Sequence, residues 1–154
     1  MIFEELFEAS NWQPVEYKDK MIRIGDTLPV SDDIDRYQII FESVNSDWEQ
    51  GIFIECKGAN FIINDEEENL NGCYFWFNKT RMINTFKILK KNKTELKVWN
   101  IWRIDKGPMS YGHNGAALYF EEEINGKRFY CNDGYPDDDF DDLIFQINWI
   151  KKDI

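Results

Sequence analysis

The side chains in this 154-residue chain that most readily do chemistry near neutral pH are one histidine, His113, and three cysteines, Cys56, Cys73 and Cys131. Acid–base or nucleophilic catalysis draws on a His, or on a Cys or Lys tuned by a neighbour. His113 with Cys131 and an aspartate would complete a Cys/His/Asp set. Cys131 falls at the end of a β-rich run rather than at a recognisable elbow. A loop histidine and a buried thiol are the simpler reading. Zinc wants ligands in paired spacings, which three scattered cysteines and one histidine do not supply. The expectation is no catalytic residue, no metal ligand and no cofactor, and so not an enzyme.

The carboxylates are the other candidates. Residues 133–142 read DGYPDDDFDD, six aspartates in ten positions, followed at once by the apolar run LIFQINWI. A calcium loop of the EF-hand type wants a Gly at its sixth position and a Glu at its twelfth. Counted from Asp133, those positions hold Asp138 and Ile144. The glycine-rich stretch 107–115 matches neither the dinucleotide nor the P-loop spacing. Read as a helix start, the run needs one Asp as N-cap and one or two more to suit the helix dipole, each worth roughly 0.3–1 kcal/mol. Five aspartates in residues 137–142 exceed that need, and crowding like charges costs stability that a basic partner would relieve. Tyr135 beside them adds the aromatic component of an interface hot spot.

Charge supports a protein partner. The net charge is −11, which disfavours bare nucleic acid and anionic membranes. Residues 1–77 hold 17 acids and 5 bases, a net of −12, including the patches 32–35 and 65–68. Residues 79–106 hold 9 bases and 2 acids, a net of +7. That strip interleaves lysines with Trp99 and Trp102, as single-strand nucleic-acid binders do. Its aromatics alternate as in a buried strand, and its lysines suit a solvated helix face better.

The elements that must position these residues follow from periodicity. Phe3, Leu6 and Phe7 predict a helix over 2–10. Residues 37–44, 51–56, 60–63, 72–77, 94–104, 116–124 and 127–131 read as strands, with Lys57-Gly58-Ala59 and Asn125-Gly126 as hairpin turns. The strand 72–77, apolar on both faces, belongs in the middle of the sheet or under cover on both sides. Met82, Ile83, Phe86 and Leu89 predict a helix over 80–91. Phe140, Leu143, Ile144, Ile147 and Ile150 predict a C-terminal helix, with Lys151 and Lys152 at its end. The expected fold is α+β, one domain over 1–154: an antiparallel sheet of six to eight strands with the N- and C-terminal helices packed on it. The start MIFEEL has neither the basic nor the apolar region of a signal peptide, and no apolar stretch approaches about 18 residues, so a cytoplasmic protein without a membrane span is expected.

A small, acidic, Trp- and Tyr-rich chain carrying the 133–142 run, the acidic patches 32–35 and 65–68 and aromatic-rich strands resembles the immunity proteins of bacterial polymorphic and contact-dependent toxin systems. The resemblance is one of type over the whole chain. It implies a protein that binds a cognate toxin domain of basic, nuclease-like character and blocks its action. The expected contact residues are Tyr135, Asp137, Asp138, Asp139, Asp141 and Asp142, with Glu66 and Glu67 in a second acidic patch. No nucleic acid and no membrane is expected as a partner. The alternatives are a phosphate-mimic inhibitor of another nucleic-acid enzyme and a small enzyme using the His113 loop.

Overall fold

The computed structural model describes residues 2–68 and 71–153, with the side chains of 67, 68 and 90–94 outside that description. The sequence of elements is α1 (Phe3–Ala9), β1 (Val15–Tyr17), β2 (Lys20–Ile22), β3 (Asp26–Leu28), β4 (Ile34–Val44), β5 (Glu49–Ile63), β6 (Glu66–Glu68), β7 (Gly72–Trp76), β8 (Ile83–Arg103), β9 (Ala117–Glu123), β10 (Gly126–Asn132) and β11 (Leu143–Lys151). Strand dominates, and the expected α+β arrangement is not what the chain adopts. Among the described residues one antiparallel sheet of nine strands runs β6-β5-β8-β4-β11-β10-β9, with β3 added to β8 and β7 to β5, and β1 and β2 form a separate hairpin. The sheet curls into a half-barrel. Arg23, just ahead of β3, exchanges both backbone hydrogen bonds with Leu118 of β9, at 2.8 Å each. The two flanks of the curl are drawn together along that line.

The N-terminal helix is the one expected helix that forms. Phe3 and Phe7 share its buried face, and Ser10 ends it, its N–H bonded to the Leu6 carbonyl and its Oγ to the Phe7 carbonyl. Both other expected helices are strands. Residues 80–91 contribute the start of β8, which pairs Tyr37–Ile40 of β4 with Phe86–Ile83. Tyr37 and Phe86 stack there with ring centroids 4.9 Å apart. The expected C-terminal helix is β11, with Leu143, Phe145 and Ile147 buried and Ile144, Gln146 and Asn148 on the other face. Alternate burial is period two. The set Leu143, Ile144, Ile147 and Ile150 fits a helical face only because this strand carries isoleucine on both sides, and β-branched residues favour the pleat.

Two further expectations change. Residues 51–56 and 60–63 are not a hairpin but halves of one strand, β5, paired along its length with β8 and bulged between Lys57 and Ala59. Gly58, at φ 79°, supplies the left-handed residue that bends it. Among the described residues β7 pairs only with β5, and its Tyr74 is 51% exposed, so it is not a central strand. The hairpin at Asn125-Gly126 forms as expected, joining β9 to β10. Inside the curl lies the main core, which includes Ile39 and Phe41 of β4, Ile52 and Ile54 of β5, Val98 of β8, Phe129 of β10 and Phe145 of β11. A smaller cluster of Phe3, Phe7, Ile22, Ala117 and Phe140 seats α1 against the sheet. Among the described residues no helix is long and apolar enough to cross a membrane.

Candidate functional site

The aspartate run is a loop between β10 and β11, not a helix start, and its shape follows from what its ends bury. Asn132 and Asp133 leave β10 at 0% and 1% exposure, and Asp142 enters β11 at 5%. Polar groups so deep need partners. Asp133 Oδ2 accepts from the Ser46 hydroxyl at 2.7 Å and from Gln50 Nε2 at 2.9 Å, and its Oδ1 accepts from the Tyr135 N–H at 2.9 Å. Asp142 Oδ2 accepts from the Asp133 N–H at 2.9 Å. Asn132 Oδ1 accepts from the Phe140 N–H at 2.8 Å, and its Nδ2 donates to the Asp137 carbonyl at 2.9 Å. Asn100 of β8 donates to the Asn132 carbonyl at 2.8 Å. Beneath them Gly134 lies on the Trp102 ring so closely that a Cβ there would meet it at 2.8 Å.

Phe140 completes the fixing. Its ring fills the minor core, with centroids 5.6 Å from Phe3 and 5.2 Å from Tyr119. Its φ is 53°, a region costly for a bulky residue, and the Asn132 bond together with ring burial holds it there. Phe140 anchors the run as a plug in the minor core, not as part of the expected helical face.

The expected contact residues therefore divide. Asp142 is an internal acceptor. Asp141 accepts from Asn45 Nδ2 at 2.8 Å. Asp138 accepts from Lys18 Nζ at 2.7 Å and from the Tyr17 hydroxyl at 2.9 Å, and the Lys18 bond holds its carboxyl below the usual range. Asp139 is exposed and Asp137 is half-buried. Tyr135 is 60% exposed and meets the Trp48 ring edge-on, with centroids 6.4 Å apart. Trp48, preceded by the exposed Asp47, is the contact candidate that sequence reasoning missed. Glu66 is exposed but belongs to β6, which pairs with Ile63, whereas Glu49, next to Trp48, opens the other end of β5. Glu67 lies in the same strand, its side chain outside the described part. The structure does not bring these two glutamates to the 133–142 loop. In the patch at 32–35, Lys151 pairs with Asp33 at 3.0 Å, and Arg36 pairs with Asp35 at 2.8 Å.

The loop's electrostatics are those of crowded carboxylates. Burial, the adjacent Asp139 and the Asp133 and Asp141 charges push Asp137 up to about 6. Burial first, and then the Asp133, Asp137 and Asp139 charges, push Asp142 up to about 8 despite its backbone hydrogen bond. Asp137, Asp139 and Asp142 each offer one oxygen within 4.8 Å of the others, the one such grouping among the described residues that a hard cation could use. Hydrogen bonds within the loop already account for the position of Asp142.

The Cys/His/Asp combination is not assembled around an accessible thiol. Cys131 is fully buried in the main core, and desolvation pushes its thiol well above the ordinary value, the opposite of what a nucleophile needs. His113 is exposed on its loop, 6.5 Å from Tyr111 between ring centroids. Neither a scan against models of known protein families nor a search of curated proteins finds a match to this chain.

Proposed function

We propose that this chain is a cytoplasmic immunity-type protein that binds and neutralises a basic, nuclease-like toxin domain through the surface around the 133–142 loop. The carrying observation is the loop rim, where Trp48 meets the exposed Tyr135 and the same loop exposes Asp139. A half-exposed tyrosine is braced by a tryptophan beside carboxylates crowded enough to raise Asp137 to about 6. Among the described residues Lys18 is the one cation in a salt bridge with the run's carboxylates, and it serves Asp138. Negative charge at the rim exceeds what the fold neutralises. A cationic partner would relieve that excess and be steered by it. Rigid aromatics at low entropic cost suit the centre of such an interface.

The test is the affinity for the toxin domain encoded beside this chain, measured for the wild type, Asp139→Asn and Tyr135→Ala. Tyr135→Ala should weaken binding about ten-fold or more, as hot-spot truncations do. Asp139→Asn should lower the association rate and its dependence on salt. Unchanged affinity and salt dependence in both variants would remove the loop from the interface.

A further inference from the structure

The outer face of the half-barrel carries a row of rings. Tyr74, Phe53 and Trp99 pair across β7, β5 and β8, with centroid spacings of 4.8 and 4.9 Å. Tyr111 continues the row 5.9 Å from Trp99. Tyr74 and Tyr111 are each about half exposed. Two rings on this face lie close over glycines. Phe53 covers Gly72, where no Cβ would fit, and Trp76 covers Gly51, where a Cβ would meet the indole at 2.9 Å. Neighbouring rings of the row are tilted by 40–49° to one another, and each carries an electron-rich face that attracts cations.

The same face shows what such a ring accepts. Arg103 sits with its guanidinium 4.3 Å from the Trp76 centroid, and its Nη2 donates to Glu49 at 2.7 Å. A planar cation stacked on an indole and forked by a carboxylate is a recurrent recognition unit. Among the described residues no cation lies over Tyr74, Trp99 or Tyr111. The row is also continuous with the rim described above. Past Tyr111 and His113, the Gly115 N–H bonds the Gly134 carbonyl at 3.3 Å, and a Cβ on Gly115 would fall 2.9 Å from Pro136 Cα.

We propose that this aromatic row is the anchoring half of the partner interface, taking arginine side chains of a basic protein surface by stacking while the acidic rim at the 133–142 loop supplies complementary charge. The proposal rests on the basic-partner reading and adds to it a preference for arginine over lysine, since guanidinium stacks on rings and is the more weakly hydrated cation.

The probes are an oligo-arginine and an oligo-lysine peptide of equal length, each fluorescent, titrated by anisotropy at low and moderate salt. The wild type should bind the arginine peptide about ten-fold more tightly, the size of one or two cation–π contacts. Tyr74→Ser with Tyr111→Ser should reduce arginine binding to the lysine level and leave lysine binding unchanged. The corresponding Phe variants, which keep the rings, should retain the preference. If the double variant melts early, Tyr111→Ser alone, at a loop position, gives the same readout at smaller size. Equal binding of the two peptides, or a preference that survives loss of the rings, overturns the aromatic anchor while salt-dependent binding still supports the acidic surface. Binding of neither peptide overturns both.

Discussion

Asp142 accepts a hydrogen bond from the backbone N–H of Asp133 at 2.9 Å, so the first and last aspartates of the run close on each other, with Asp138 and Asp139 exposed between them and Asp137 and Asp141 half-buried. The bond makes Asp142 part of the loop's frame. It also buries a carboxyl among three others.

That burial has a pH signature. In the folded chain Asp142 lies at about 8 and Asp137 at about 6, both raised, against an ordinary value of 3.8. The folded state then holds more protons than the unfolded state between those values, and stability falls as pH rises from about 4 to about 8. Asp142→Asn keeps an acceptor for the Asp133 N–H and removes the titration. It should flatten this fall and raise the melting temperature at pH 8 by several degrees, each kcal/mol being worth about 2–4 °C in a domain of this size. Melts at pH 5 and pH 8 for both proteins check it. An equal drop in both would place the titration elsewhere.

Asp133 is the more costly residue to remove. Asp133→Ala strands the Ser46 hydroxyl, the Gln50 amide and the Tyr135 N–H, two of them on residues that are themselves largely buried. Buried donors without acceptors cost about 1–3 kcal/mol each. A loss of about 3 kcal/mol or more is expected in urea unfolding, with the slope unchanged if the fold is kept.

Gly51→Ala tests the close seating of Trp76 on the sheet. The added methyl would meet the Phe75 carbonyl at 2.7 Å and the Trp76 indole at 2.9 Å. Backbone on one side leaves the ring as the group that must move. Overpacking of this kind costs typically about 1–3 kcal/mol. The indole should also leave the Arg103 guanidinium, and a shift in tryptophan emission would report it.

Thiol labelling reads the core directly. Burial pushes Cys56 up to about 11 and Cys131 well above its ordinary value. Both should resist iodoacetamide in the folded protein and react on unfolding, while the half-buried Cys73 reacts first. Mass mapping of the labelled sites before and after urea distinguishes the three.

How far the sequence reached depends on the local signal. The N-terminal helix was legible because its apolar residues keep helical spacing and its acids take the other face. β4 was legible from its β-branched and aromatic residues, and the hairpin at residue 125 from its turn pair. The helices expected over 80–91 and from 140 onward were misread because both segments carry apolar residues on both strand faces. Such a run also satisfies a three-and-four spacing, and only pairing with distant strands decides the period. Ile39 opposite Ile147 and Tyr37 opposite Phe86 are such decisions.

The candidate site was legible in place and not in role. The density of aspartates marks the loop, but nothing local shows that Asp133 and Asp142 turn inward or that Lys18, 120 residues away, meets Asp138. Trp48 pairs with Tyr135 across the fold, so its part in the rim has no signal in its own neighbourhood. The aromatic row left a faint trace in Gly51 and Gly72, small residues inside β-rich runs, where a close approach by another group is the usual reason for a glycine.

The bond between Arg23 and Leu118 sets an order of assembly. Its ends are far apart in the chain, and so are Tyr37 and Trp149, which face each other across β4 and β11. Loops of that length must close before the core gains most of its contacts, which places this topology among high-contact-order, slow folders. During synthesis β4 stays without its neighbour β11 until residues near 149 leave the ribosome. The aromatic segments emerging first are then exposed without their partners, and the acids of the N-terminal half keep that interval soluble through mutual repulsion.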